Sequence, residues 1–264
     1  MTVSQRFRIR FVPWLLPLLC WVGGPGLARA AEAAARWATA GQMVLVTVPG
    51  WHAVQGTLRT YERQGGGAWH EVGTARPVAI GHAGAGWGLG LHPAQAGGPV
   101  KREGDGRSPA GVFRIGEAFG YAAHADTALP YLALSATDYC MDVSGSPFYN
   151  RIVDAAKVGA AAVKGSSEPM RRDLYFHGDQ RYRMGFVIEH NLGGKPGGGS
   201  CIFGHLWKAP GVGTTGCTAM SADTMRRLLA WLKPQEHPVF VLLPQDQYAR
   251  LRAAWKLPAP GAAP

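Results

Sequence analysis

Hydrophobic positions set the first half of the chain out as strands. Met43-Val44-Leu45-Val46-Thr47-Val48 is β-branched and stops at Pro49-Gly50, and alternation resumes from Val54 to Tyr61. Gly65-Gly66-Gly67 marks a turn, and Trp69 to Ile80 reads as a further strand pair. Gly81 to Pro99, dominated by Gly, Ala, His and Trp, reads as a long loop, after which Val112, Phe113 and Ile115 begin a strand. Asp126 to Asp142 is irregular with a short apolar segment, and residues 151–170 lack periodicity beyond a short helix. Leu174 to His177 and Gly185 to His190 read as strands, and the glycine tract Gly193 to Gly199 as a flexible connection between antiparallel strands. The period then lengthens. Ser221 caps a helix whose Met225, Leu228, Leu229 and Leu232 recur at i, i+3, i+4 and i+7 up to Lys233-Pro234. Val239 to Leu243 is a buried strand, Gln245 to Lys256 an amphipathic helix, and the Pro/Ala tail of 257–264 a disordered end.

Composition adds an export signal to this β-rich picture. Arg6, Arg8 and Arg10 precede an apolar run from Phe11 to Val22, and Ala28-Arg29-Ala30 fits a small-x-small cleavage site, so residues 1–30 read as a secretory signal peptide. The run is short and holds Pro13 and Pro17, whereas a membrane span needs about 20 apolar residues, so no stable span is expected after cleavage. Residues 31–74 form an N-terminal leader and β-rich segment, and 75–256 the main domain onto which it packs. The chain carries a net charge of +10 and stays positive without the signal. An exported basic protein with no Lys/Arg cluster interleaved with aromatics points away from nucleic acid and towards an anionic envelope partner. Cleavage leaves Cys140, Cys201 and Cys217, an odd count that leaves at least one thiol unpaired within a single chain. A Cys140–Cys201 bond would leave Cys217 free, though spacing alone does not establish that pairing.

The chemistry concentrates between Gly199 and Met220. A strand from Cys201 to Trp207 would place Cys201, Phe203, His205 and Trp207 on one face, with Cys201 and His205 roughly 13 Å apart. That separation rules out a dyad between them and disfavours a metal site built on Cys201, His205 and Cys217. Pro210-Gly211-Val212-Gly213 can turn the chain back so that Cys217 approaches His205. A cysteine reacts as thiolate and a neighbouring imidazole generates it, so Cys217 is the candidate nucleophile and His205 the candidate base. Amides near Thr215, Gly216 and Cys217 are candidate oxyanion donors. His190, on a strand face with Phe186 and Ile188, reads as structural or substrate-facing. Arg107 reads either as a ligand for a substrate carboxylate or as a brace for its turn.

Two motifs carry a family resemblance. His205 followed by Thr214-Thr215-Gly216-Cys217 resembles the His and Ser/Thr-x-Gly-Cys element of the L,D-transpeptidase catalytic-domain family. Gly104-Asp105-Gly106-Arg107-Ser108-Pro109-Ala110-Gly111-Val112-Phe113 is similar to the Gly-Asp-x-Arg-Thr-Pro-x-Gly-x-Phe stretch upstream in these proteins. The resemblance covers roughly residues 75–243, with two departures: a short His-to-Cys interval, as in a divergent branch, and Thr215 where many members carry His or Arg. It implies a mainly β fold, sandwich or barrel-like, with a few peripheral helices. It also implies a periplasmic monomer that joins diaminopimelate-containing peptidoglycan stem peptides through a Cys217 acyl-enzyme, with no metal or organic cofactor. The alternatives are a carboxypeptidase or amidase that releases residues or proteins from stems, and a non-catalytic wall-binding module.

Overall fold

The structure, a computed structural model, describes residues 1–2 and 36–259. The signal-peptide reading of 1–30, apart from its first two residues, and the last five residues of the tail lie outside the described residues. Among the described residues no helix is long and apolar enough to cross a membrane.

Thirteen strands run in chain order: β1 (Gln42–Val48), β2 (Gln55–Glu62), β3 (His70–Ala79), β4 (Ala85–Trp87), β5 (Ser108–Gly120), β6 (Tyr131–Ala133), β7 (Asp138–Cys140), β8 (Ile152–Asp154), β9 (Glu168–Pro169), β10 (Met184–Ile188), β11 (Phe203–Leu206), β12 (Thr218–Met220) and β13 (Val239–Pro244). The sheet follows the path β10-β11-β12-β3-β2-β1-β13-β5, and β10 also pairs with β5, so these eight strands close into a barrel. Closure leaves those eight strands with neighbours on both sides. The mainly β, barrel-like expectation is met, with four short α-helices among the described residues: α1 (Ala155–Val158), α2 (Arg172–Tyr175), α3 (Ala222–Trp231) and α4 (Gln245–Leu251).

The division at residue 75 does not hold, because that position falls within β3. β1 pairs in parallel with β13, matching Val44 to Phe240 and Leu45 to Val241, and β3 joins β12. The N-terminal strands are therefore staves of the same barrel as the C-terminal ones. Their inward residues Val44, Val46, Phe113, Phe240 and Leu242 are fully buried in one core. α3 closes that core as its period predicts: the Ser221 hydroxyl accepts the Thr224 amide at 3.1 Å, and Met225, Leu228 and Leu229 are buried.

Several other expectations change. Trp69 to Ile80 is one strand, β3, with a register shift against β2 between Leu58 and Thr60 rather than a pair. The loop of 81–99 contains β4, buried against the start of β5. Leu174 to His177 is not a strand: Leu174 and Tyr175 end α2, beside an Arg171–Asp173 ion pair of 2.8 Å, and Leu174, Tyr175 and Phe176 face solvent without a sheet to join. α4 is shorter than 245–256, continuing as turns to the buried Trp255. The tail does not begin free at 257, since Leu257 is buried and the Pro258 carbonyl accepts the Tyr248 hydroxyl at 2.6 Å.

Between β6 and β10 the chain leaves the barrel and builds a small sheet, ordered β8-β7-β9. Cys140 at the end of β7 is bonded to Cys201, which precedes β11. The excursion is thus tied to the barrel just before β11, the strand that carries His205.

Candidate active site

β11 and β12 are neighbours and parallel, with Gly204 opposite Thr218 and His205 opposite Ala219. Opposed residues of parallel strands point to the same side, and Cys217 lies two residues before Ala219. His205 and Cys217 therefore share one face, with Cα atoms roughly 8 Å apart from strand spacing and rise. In the register His205 stands between Ala219 on one strand and Gly185 on the other, and the missing side chain at Gly185 leaves room for the Phe119 ring. Both side chains line a cavity of about 590 Å³, walled on its far side by the excursion through Asp142, Glu168 and Arg172.

Cys217 is the free thiol, buried at 6% exposure, because the other two described cysteines are bonded to each other. Its Sγ accepts the Phe203 amide at 3.3 Å and donates to the Cys201 carbonyl at 3.4 Å. Its own carbonyl accepts the Ser108 hydroxyl at 2.8 Å and the Thr214 hydroxyl at 2.6 Å. Ser108 belongs to the Gly-Asp-Gly-Arg-Ser-Pro stretch, so the two motifs read from the sequence meet at the backbone of the candidate nucleophile. Cys201 does not start a strand; it sits before β11 with a φ of 55° and its sulfur in the disulfide, which removes it from any metal site with His205 and Cys217.

His205 is buried with its ring edge-on to Tyr182, centroids 5.3 Å apart. Its Nδ1 lies 2.8 Å from the Leu206 carbonyl. A carbonyl only accepts, so Nδ1 carries the proton and Nε2 holds the free lone pair. Burial, seconded by Arg181 and Arg172, lowers the imidazole to about 4 and keeps it neutral at pH 7. Burial raises the Cys217 thiol to about 12, with the Glu168 charge the next contribution, against the Phe203 amide, Lys101 and Arg172. Both groups therefore rest neutral, a thiol and an imidazole, and not as an ion pair.

The remaining sequence candidates separate. Thr215 is exposed at the cavity mouth. Thr214 is a brace, accepting the Gly216 amide at 3.1 Å while donating to the Cys217 carbonyl. The Gly216 amide is consequently occupied, which removes it from the candidate oxyanion donors of this loop. Gly216 has a φ of 154°, and a Cβ there would lie 3.2 Å from the Arg107 carbonyl. His190 is not substrate-facing: it is 1% exposed, its Nδ1 accepts the Leu89 amide at 3.1 Å, and its Nε2 lies 2.9 Å from the Gly198 carbonyl. Arg107 is the turn brace, with Nη1 3.0 Å from the Ala85 carbonyl and 3.3 Å from that of Trp51.

Other groups reach the cavity without having been expected there. Lys101 is buried and bonded to Asp105 at 2.6 Å, an i,i+4 pair that joins the residue three before the upstream motif to the motif's aspartate. His82 sits at the mouth with Nδ1 2.9 Å from the Thr214 carbonyl. Tyr182, Glu168, Arg172 and Arg181 come from the excursion and its return. Only the Lys101–Asp105 spacing left a trace in the sequence; the others are distant in the chain and meet through the topology. Among the described residues no group of three or more His, Cys, Asp or Glu is placed to hold a metal ion. No protein family, curated protein or solved structure matches the chain.

Proposed function

We propose that this chain is an exported cysteine acyltransferase of the L,D-transpeptidase kind, acting on peptidoglycan stem peptides. The observation that carries the reading is the free Cys217 thiol beside the neutral His205, on one face of adjoining strands and open to a cavity. His205 Nε2 takes the thiol proton as Sγ adds to the carbonyl carbon after the diaminopimelate centre. The Thr215 and Cys217 amides receive the developing oxyanion, each such donor supplying on the order of 3 kcal/mol. The carbon–nitrogen bond breaks, the imidazolium returns its proton to the departing D-alanine amine, and a thioester remains on Cys217. An amine of a second stem gives up a proton to His205, attacks the thioester and restores the thiol, leaving a cross-link. The Cys140–Cys201 disulfide supports export, since such bonds persist in oxidising compartments.

Incubation with purified muropeptides followed by mass analysis tests this. The expected result is D-alanine release, an acyl adduct on Cys217 and dimeric products, all lost in Cys217→Ala. Trimmed monomers in place of dimers would assign the acyl group to water and make the enzyme a carboxypeptidase. Neither adduct nor product would overturn the acyltransferase reading.

A further inference from the structure

Lys101 is a buried cation set against the loop of the candidate nucleophile. Its neighbours Val100 and Arg102 face solvent, yet Lys101 itself is 5% exposed and lines the cavity over Cys217. The main chain is fixed first, with the Lys101 amide donating to the Trp87 carbonyl at 2.9 Å at the end of β4. The stem then passes Gly199, where a Cβ would fall 3.0 Å from Cε and 3.3 Å from Cγ. Beyond it, Nζ lies 3.7 Å from the point that a Cβ on Gly216 would occupy, so the charge abuts the residue before Cys217.

Burying an ammonium is costly unless an opposite charge and hydrogen bonds offset the lost water. Nζ donates to Asp105 at 2.6 Å and to the Arg102 carbonyl at 2.6 Å. An ammonium has three donors, and the third has no acceptor among the described residues. A buried donor left open calls for a reason. The Asp105 carboxylate is itself shared, since it also accepts the Arg102 and Arg107 amides, so it neutralises Lys101 less than a carboxylate devoted to it. Ser108, the residue after Arg107, holds the Cys217 carbonyl at 2.8 Å. One loop thus fixes both the ammonium and the backbone of the thiol.

We propose that Lys101 is a positioning residue acting through Cys217: its buried ammonium is the fixed positive charge that favours the anionic forms of this loop, the thiolate first and then the oxyanion. Its part in turnover rests on the acyltransferase reading; its effect on the thiol does not. Passing the thiol proton to His205 replaces two neutral groups by a thiolate and an imidazolium, a separation that a low-dielectric cavity opposes. The other charged or titratable groups facing the thiol are Glu168 and Arg172 from the excursion, Tyr182 and His205. Burial raises the thiol and Glu168 adds to the rise, while Lys101 and Arg172 oppose it. Arg172 is divided between Glu168 and Asp179, whereas Lys101 has one carboxylate partner. The Lys101 charge reaches His190 as well, adding to the fall that burial causes there.

The probe is iodoacetamide, which alkylates a thiolate and releases iodide. Alkylation of Cys217 is followed by peptide mapping of the folded full chain between pH 8 and pH 10, without stem peptide. Lys101→Met keeps the stem and removes the charge, and should react at least tenfold more slowly at each pH. Lys101→Arg should return to within threefold of the wild-type rate. Asp105→Asn leaves Lys101 less neutralised and should react faster than wild type. Circular dichroism establishes that each variant folds, and if the lysine variants do not, Asp105→Asn decides alone. A loosened pocket would expose the thiol and speed every variant, so opposite effects at 101 and 105 isolate the charge. A folded Lys101→Met as fast as wild type, a Lys101→Arg as slow as Lys101→Met, or an Asp105→Asn no faster than wild type would overturn the role. No stem peptide enters, so an inactive muropeptide assay leaves this result standing, and a thiol indifferent to Lys101 leaves the muropeptide result standing.

Discussion

Cys217 is positioned through its backbone more than through its side chain. Two hydroxyls, from Ser108 and Thr214, hold its carbonyl, and Gly216 precedes it with a φ of 154°. Gly216→Ala therefore adds a Cβ in a conformation that favours glycine and at a contact of 3.2 Å. The expected effect is a stability loss of about 1–3 kcal/mol by thermal melting. The thiol also moves, and a misplacement near 1 Å lowers turnover by roughly 100-fold. An alanine variant with unchanged melting and unchanged turnover would show that this contact does not set the nucleophile.

At the level of elements, the disulfide decides whether the cavity has two walls. The barrel supplies His205 and Cys217, while Asp142, Glu168 and Arg172 come from the β7–β9 excursion, held to the barrel at Cys140–Cys201 across a sequence separation of 61. Closing a loop of that length in the unfolded chain contributes about 4 kcal/mol on the chain-entropy account. The double replacement Cys140→Ser and Cys201→Ser should lower the melting temperature and raise amide exchange across residues 134–175. Amides of β1, β2 and β13 should keep their protection. Uniform exchange over the whole chain would mean that the excursion and the barrel unfold as one unit.

For the molecule as a whole, buried histidines make folding sensitive to acid. His190 and His205 are both lowered to about 4 by burial, against an ordinary value near 6.5 in the unfolded chain. Between those values the unfolded state binds more protons than the folded one, so stability falls as the pH drops from about 6.5 to about 4. Below both values the loss is on the order of 3 kcal/mol for each histidine. Burial lowers His92 in the same direction, and Asp173 and Asp179, held below the ordinary carboxylate range by arginine hydrogen bonds against the cost of burial, extend the loss further into acid. Calorimetry from pH 7 to pH 4 should show a steadily falling melting temperature; a flat profile would contradict the burial of these rings.

Local pattern made much of this legible. The strand over 43–48, the buried strand at 239–243 and the helix after Ser221 follow from periodicity and capping, because each buries one continuous apolar face. Cys217 and His205 were readable as a pair, since the turn at 210–213 returns the chain across a short interval. Arg107 and His190 were not, because the same residue types serve a cavity or brace a backbone, and only their neighbours decide which. The excursion also escaped the pattern: its strands are two or three residues long, too short to show a period.

The sequence alone determined the strands over 43–48 and 239–243 and the helix after Ser221, because those follow from spacing within a few residues. Only the tertiary structure decided that β1 lies beside β13, that β11 and β12 run parallel, and that Cys140 meets Cys201. It also decided that Glu168, Lys101 and Tyr182 gather around Cys217. These meetings join residues distant along the chain, and they arise when the barrel closes and buries surfaces that no single segment can cover by itself.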